Sequence, residues 1–137
     1  MFTSLETGVI FAMDNTQYGN SIRLFETILT EEVLSFLKSQ DMGARQKILY
    51  NIRKAEIVQD SELFKKLTDE IWEFRTLWRN VHYRLFAFWD KEEGKVVVVT
   101  HGVVKKTSKI PAKELKRAIE IRNEYFRGKK EQKHEML

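Results

Sequence analysis

The sequence from residue 71 to residue 111 consists of three apolar-rich stretches joined by short polar segments. Within these stretches, apolar and polar residues alternate or β-branched residues follow one another, which is typical of β-strands. Short polar connections favour antiparallel hairpins. We therefore predict a three-stranded antiparallel sheet, around which the rest of the chain packs. The predicted strands are 71–78, 81–90 and 95–104, and Gly94 supplies the positive φ that a hairpin loop often needs.

The middle stretch, 81–90, is apolar on both of its faces. Successive side chains of a strand point to opposite sides of the sheet. Tyr83 and Leu85 then face one way, whereas Arg84 and Phe86 face the other. This pattern predicts a central strand that is covered on both sides.

Helical periodicity is found before and after this region. Thr30 is a suitable N-cap for a short amphipathic helix over 31–39, and apolar residues at helical spacing predict a second helix over 44–57. A last helix is predicted to open at Pro111 and to end at Gly128.

Together, these elements predict one domain spanning residues 1–137, of the α+β class. Its expected architecture is an N-terminal helical hairpin packed on a small antiparallel sheet, with a C-terminal helix. Residues 1–20 form an N-terminal extension, which is either an extra strand or an ordered arm. A short strand is predicted within 21–29, a short turn near 61–67, and a charged tail at 128–137.

Composition excludes several classes of protein. The chain has no Cys, which rules out disulfides and thiolate chemistry. It has no apolar run near the roughly 18 residues that a membrane span requires, and no secretory signal pattern. We expect a cytoplasmic protein with no membrane partner.

Charge is distributed unevenly along the chain. Residues 1–70 contain 8 Lys and Arg against 11 Asp and Glu, whereas residues 71–137 contain 16 against 9. A basic half indicates a polyanionic partner such as nucleic acid. Solvated surface lysines are the alternative explanation.

Several kinds of active site are missing from the sequence. There is no Gly-rich phosphate loop and no G-x-S-x-G motif. The three His, at 82, 101 and 134, do not have the spacing of a metal site. We therefore expect neither a metal nor a cofactor.

Basic side chains in and after the strands are the remaining candidates for chemistry. A guanidinium offers a planar fork to phosphate oxygens, and lysines add compact positive charge. Such a set suits RNA binding and the stabilisation of charge on a phosphate during cleavage. The cations concerned are Arg75, Arg84, Lys105, Lys106 and Lys109, with His82, Tyr83 and His101 near them in sequence.

Each of these residues also has a structural explanation. Trp72, Phe74 and Trp89 suit a hydrophobic core better than a platform for bases. Arg75 could pair with Glu73 or Glu93, and both strand histidines could be structural.

Four segments together resemble the HigB branch of the RelE/ParE toxins. They are WEFR at 72–75, HYRLFAF at 82–88, THGVVKKTSKIP at 100–111 and AKELKRAIEIRNEYF at 112–126. The resemblance implies a RelE-like toxin of a type II toxin–antitoxin system. It further implies an endoribonuclease that cleaves mRNA without a metal, often on the ribosome, and a helix-turn-helix antitoxin of the HigA kind as partner.

The resemblance also implies site residues. Arg75, Arg84, Lys105 and Lys106 would be catalytic, with His101 as one candidate acid or base, alongside His82 and Tyr125. Independently of the resemblance, we predict from their places in the sequence that His82, Tyr83, Lys109 and Arg122 contact RNA. Two departures from RelE concern the acid and base: residues 108–111 contain no Tyr, and Trp72 and Glu73 stand where RelE has lysines.

Two other functions remain open within this family of one fold. A ParE-like toxin would poison a protein target such as DNA gyrase and would not be a nuclease. An inactive relative would only bind its partner. Since fold does not fix function, the site must decide among them.

Overall fold

The structure of the protein, a computed structural model, describes residues 2–4, 22–105 and 109–136, with side chains for 22–105 and 109–134. Within these residues it contains six strands and three α-helices. In chain order they are β1 (Phe2–Ser4), β2 (Glu26–Thr30), α1 (Glu31–Ser39), α2 (Met42–Ile57), β3 (Phe64–Lys66), β4 (Trp72–Trp78), β5 (Val81–Asp90), β6 (Val96–Lys105) and α3 (Ala112–Met136). The predicted α+β class and its RelE-like layout are confirmed.

The sheet is larger than the sequence predicts and is mixed. Its strand order is β1-β2-β6-β5-β4-β3. The predicted antiparallel strands form its centre, β6-β5-β4, but β2 joins β6 in parallel. The predicted antiparallel strands are thus present, but the sheet extends beyond them and is mixed, because the parallel pairing joins distant segments that no local pattern connects. The extra-strand alternative holds for Phe2–Ser4, which pair with β2.

One face of the sheet packs against the predicted helical hairpin. Thr30 caps α1 by accepting a 3.2 Å hydrogen bond from Val33 N. Asp41 caps α2 in the same way, accepting from Ala44 N at 2.8 Å. We call this side the hairpin face; its core includes Leu29, Val33, Leu37, Ile48, Ile52, Phe74, Leu85, Val97 and Val99.

The other face packs against α3, and we call it the α3 face. Phe86, Phe88 and Val98 from the sheet meet Ala118 and Tyr125 from the helix in a second buried cluster. Since β5 contributes to both cores, the prediction of a central strand covered on both sides is confirmed.

Helix α3 is longer than predicted. Gly128 lies inside it, so the prediction that the helix ends at Gly128 is wrong, and the charged residues from 128 onward continue the helix to Met136. The extension has a tertiary cause. Lys129 Nζ donates 2.6 Å hydrogen bonds to Asp90 Oδ2 and Glu93 Oε1, which attaches the second half of α3 to the β5–β6 hairpin.

Two smaller differences concern local geometry. Residues predicted as part of a turn, Phe64–Lys66, form a short edge strand against β4. The β5–β6 ladder has an irregularity, since Phe86 pairs with His101 while Ala87 pairs with Val99. In the described part of the chain, no helix is long and apolar enough to cross a membrane.

Candidate functional site

The strand register brings several predicted cations to one place. Arg75 of β4 lies directly opposite Arg84 of β5, and His82 of β5 lies opposite Lys105 of β6. By alternation these four residues share the α3 face with Phe86. They lie where β4 and β6 end and β5 begins, and we call this group the basic end of the sheet.

Arg84 is the most buried member of the basic end. Its side chain is 3% exposed, and its Nη1 lies 2.6 Å from Oε1 of Glu73, which is 1% exposed. Burial raises the pKa of Glu73, although Arg84 and Arg75 act to lower it. Glu73 was not among the predicted site residues. The Glu-x-Arg spacing in β4 is the one signal that could have indicated it.

Arg75 is more accessible than Arg84. Its side chain is 27% exposed, with Nε 3.5 Å from Glu73 Oε1. Its Nη1 lies 3.8 Å from Oε2 of Glu62, a carboxylate that is itself 83% exposed. Of the two pairings considered for Arg75, the structure shows the one with Glu73.

A second lysine, Lys109, lies next to the basic end just after β6. Lys105 Nζ donates a 3.0 Å hydrogen bond to the carbonyl of Lys109, whose side chain is exposed. Lys105 and Lys109 are therefore close in space. Lys106 lies outside the described residues.

His101 occupies the interior between the sheet and α3. Its ring is 1% exposed and stacks on Phe86 with centroids 4.9 Å apart. Nδ1 lies 2.9 Å from Thr100 Oγ1, and Nε2 lies 3.7 Å from Glu114 Oε1. Burial, assisted by Arg117, lowers the pKa of His101 to about 4. The ring is thus neutral near neutral pH and covered by protein.

Two predicted RNA-binding residues lie away from the basic end. Tyr83 is on the hairpin face and is buried in its core. Arg122 projects from α3, where it pairs with Glu70 at 3.1 Å and lies over the ring of Phe126. The structure therefore does not bring these two residues together with Arg75 and Lys105.

Two cavities flank the half-buried pair Trp72 and Trp89. Their volumes are about 580 and 480 Å³, and both also include Lys66 in their walls. No residue of the basic end lines either cavity. Among the residues described here, no group of His, Asp and Glu could hold a metal ion.

Comparison with known proteins yields one family. The model of a family described as phage derived protein Gp49-like (DUF891) matches residues 35–123. The match runs from α1 into α3 and includes the basic end. Among curated proteins, no match is found.

Proposed function

We infer the function of this chain from its family, since it belongs to the phage-derived Gp49-like proteins, which are related to the toxins of toxin–antitoxin systems. We propose that it is the toxin of a type II system, of the HigB-like branch. Its proposed activity is the cleavage of mRNA without a metal, on the translating ribosome. A helix-turn-helix antitoxin of the HigA kind is the proposed partner.

The observation that carries this proposal is the convergence of cations at the basic end. Arg75, Arg84, His82 and Lys105 come from three different strands and share one face. Side chains on strands are held in place more firmly than side chains on loops, which suits a site that must stabilise charge. Arg75, His82 and Lys105 are partly exposed, so they are available to contact a phosphodiester, whereas Arg84 is buried beside Glu73.

The proposed reaction is transfer of a phosphoryl group within the RNA. The ribose 2′-oxygen forms a bond to the adjacent phosphorus and gives up its proton, while the bond from phosphorus to the 5′-oxygen breaks and that oxygen takes up a proton. Negative charge increases on the phosphate oxygens in the transition state. Fixed guanidinium and ammonium groups lower this barrier because they are already oriented when the charge develops.

The test is primer extension on transcripts from cells in which the protein is induced. Discrete cleavage positions are expected with the unaltered chain and should fall to a weak but measurable residual intensity with Arg75→Ala or Lys105→Ala. Lys38→Ala is the matched control, because it removes an exposed lysine from α1. Absence of cleavage with the unaltered protein, despite growth arrest, would contradict the nuclease proposal.

One observation favours the second candidate, a ParE-like toxin that poisons a protein target such as DNA gyrase. Glu73 neutralises Arg84, so the basic end presents fewer free cations than the sequence suggests. This candidate predicts growth arrest without cleaved transcripts, and the same experiment separates the two.

A further inference from the structure

Arg75 and Arg84 are directly opposite each other in the β4–β5 ladder. Like charges in this position repel and destabilise a sheet. Glu73 lies two residues before Arg75 on the same face, and its Oε1 is 3.5 Å from Arg75 Nε and 2.6 Å from Arg84 Nη1. One carboxylate oxygen therefore holds two guanidinium groups that would otherwise separate.

The two arginines are held unequally by this carboxylate. Arg84 and Glu73 are both nearly inaccessible, so withdrawal of either would leave a buried charge without its partner. Arg75 has the longer contact with Glu73, and its other partner, Glu62, is largely in solvent. Ion pairs as exposed as the one with Glu62 are weak and exchange easily.

Arg84 has an unused nitrogen, but a ligand cannot reach it in this arrangement. Its Nη2 has no hydrogen-bond partner among the described residues and is inaccessible to solvent. Oε2 of Glu73 likewise has no hydrogen-bond partner among the described residues and is inaccessible to solvent. An incoming phosphate would have to break the buried pair in order to engage Arg84.

We propose that Glu73 is a positioning residue that gives the two arginines different tasks. It retains Arg84 in the interior and directs the guanidinium of Arg75 outward, so that Arg75 is the arginine that contacts a substrate phosphate. This inference rests on the proposed function, because it assigns roles within the same site. The sequence resemblance treats both arginines alike.

The first experiment follows the arginine side chains directly. The full chain, labelled with ¹⁵N, is titrated with inorganic phosphate while the Nε–Hε signals of Arg75 and Arg84 are recorded by NMR, with chloride at matched ionic strength as control. The signal of Arg75 should move to saturation while that of Arg84 stays in place. The inference is overturned if Arg84 moves as far as Arg75, or if neither moves. Loss of the nuclease proposal alone would leave the phosphate response of Arg75 intact, so the two failures are distinguishable.

The second experiment is a double-mutant cycle on RNA cleavage. Glu73→Gln should reduce cleavage about tenfold or more, because a misoriented arginine stabilises the transition state poorly. Glu62→Gln, which alters the exposed partner of the same arginine, should leave cleavage within about twofold. In an Arg75→Ala background, Glu73→Gln should have no further effect on cleavage. An equal reduction in both backgrounds would indicate a merely structural role and would overturn the inference.

A variant that removes both buried charges guards against loss of the fold. In Glu73→Gln/Arg84→Gln neither charge is left buried without a partner. The Nε–Hε signal of Arg75 should then respond to phosphate at least about threefold more weakly, since the orienting carboxylate is gone. An undiminished response would show that Arg75 needs no positioning by Glu73.

Discussion

Tyr125 donates a 2.6 Å hydrogen bond from its hydroxyl to Oδ2 of Asp90, although 35 residues separate the two along the chain. Lys129 donates to the same oxygen at 2.6 Å. Burial alone would raise the pKa of Asp90, but the hydrogen bonds from Lys129 and Tyr125 lower it. The pKa of Tyr125 is raised, first by burial and then by its contact with Asp90. This carboxylate joins the end of β5 to the second half of α3.

Asp90→Asn should therefore loosen the end of α3. We expect the free energy of unfolding to fall by about 2–3 kcal/mol, because hydrogen bonds to a buried charge are lost. Urea unfolding measures the change, and amide hydrogen exchange should accelerate in residues 125–134. Glu92→Gln is the matched control, since its pair with Lys133 is exposed, and it should change stability by less than about 0.5 kcal/mol. Equal effects of both variants would contradict this role of Asp90.

Arg84→Ala tests the buried pair with Glu73. It should lower the free energy of unfolding by about 3–5 kcal/mol, because it leaves a buried carboxylate without its nearest partner. It should also abolish growth arrest on expression. Glu73→Gln/Arg84→Gln should be destabilised by less than the sum of its two single variants in urea unfolding. Strict additivity would show that the pair is not coupled.

The raised pKa of buried Glu56 should make the stability of the protein depend on pH. Its side chain is 1% exposed, and burial raises its pKa from 4.5 to about 6, although Thr27 and Arg53 oppose this. A carboxyl with a raised pKa stabilises the fold below about pH 4.5, and this contribution is lost as the pH rises through about 6. The stability of Glu56→Gln relative to the unaltered chain should thus rise by about 2 kcal/mol between about pH 4 and about pH 7. Urea unfolding at both pH values measures this difference, and a constant difference would contradict the prediction.

The pH dependence of stability that His101 contributes has the opposite sign to that of Glu56. The pKa of His101 is lowered from 6.5 to about 4, chiefly by burial. The neutral ring stabilises the fold above about pH 6.5, and about 3 kcal/mol is lost as the pH falls through about 4. An NMR titration of the ring protons of His101 should show a midpoint near 4. A midpoint near 6.5 would mean that the ring reaches solvent.

Substitution by Ala at Gly102 and at Gly128 should change the stability of the protein in opposite directions. A Cβ at Gly102 would lie 2.6 Å from the ring of Phe36, so Gly102→Ala should destabilise the protein by about 1–3 kcal/mol. A Cβ at Gly128 would meet nothing within 4 Å, and Gly128→Ala should stabilise α3 by up to about 1 kcal/mol. Thermal unfolding checks both signs.

The sequence correctly predicted the elements whose bounds are set by residues close together in the chain. The predicted and observed bounds of α1 and β5 are identical, because Thr30 caps the former and polar turn residues at 79–80 and 91–94 flank the latter. The parallel pairing of β2 with β6 and the continuation of α3 past Gly128 were missed. Both depend on contacts between residues far apart in the chain.

The candidate site could likewise be predicted only where it depends on residues close together in the chain. Alternation alone places Arg75 and Glu73 on one face of β4. Whether the guanidinium of Arg84 contacts Glu73 depends on side-chain conformation and burial, which the sequence does not fix. The ion pair that sets the accessibility of Arg84 could therefore be found only in the structure.

The parallel ladder between β2 and β6 has a consequence for the order of assembly during synthesis. β2 lies between β1 and β6, so the N-terminal strands stay detached from the central sheet until the ribosome has made residues 96–105. The same late residues include Lys105, which completes the row of charges begun on β4 and β5. The basic end can therefore form only after residue 105 has been translated, when just over three-quarters of the chain has been made.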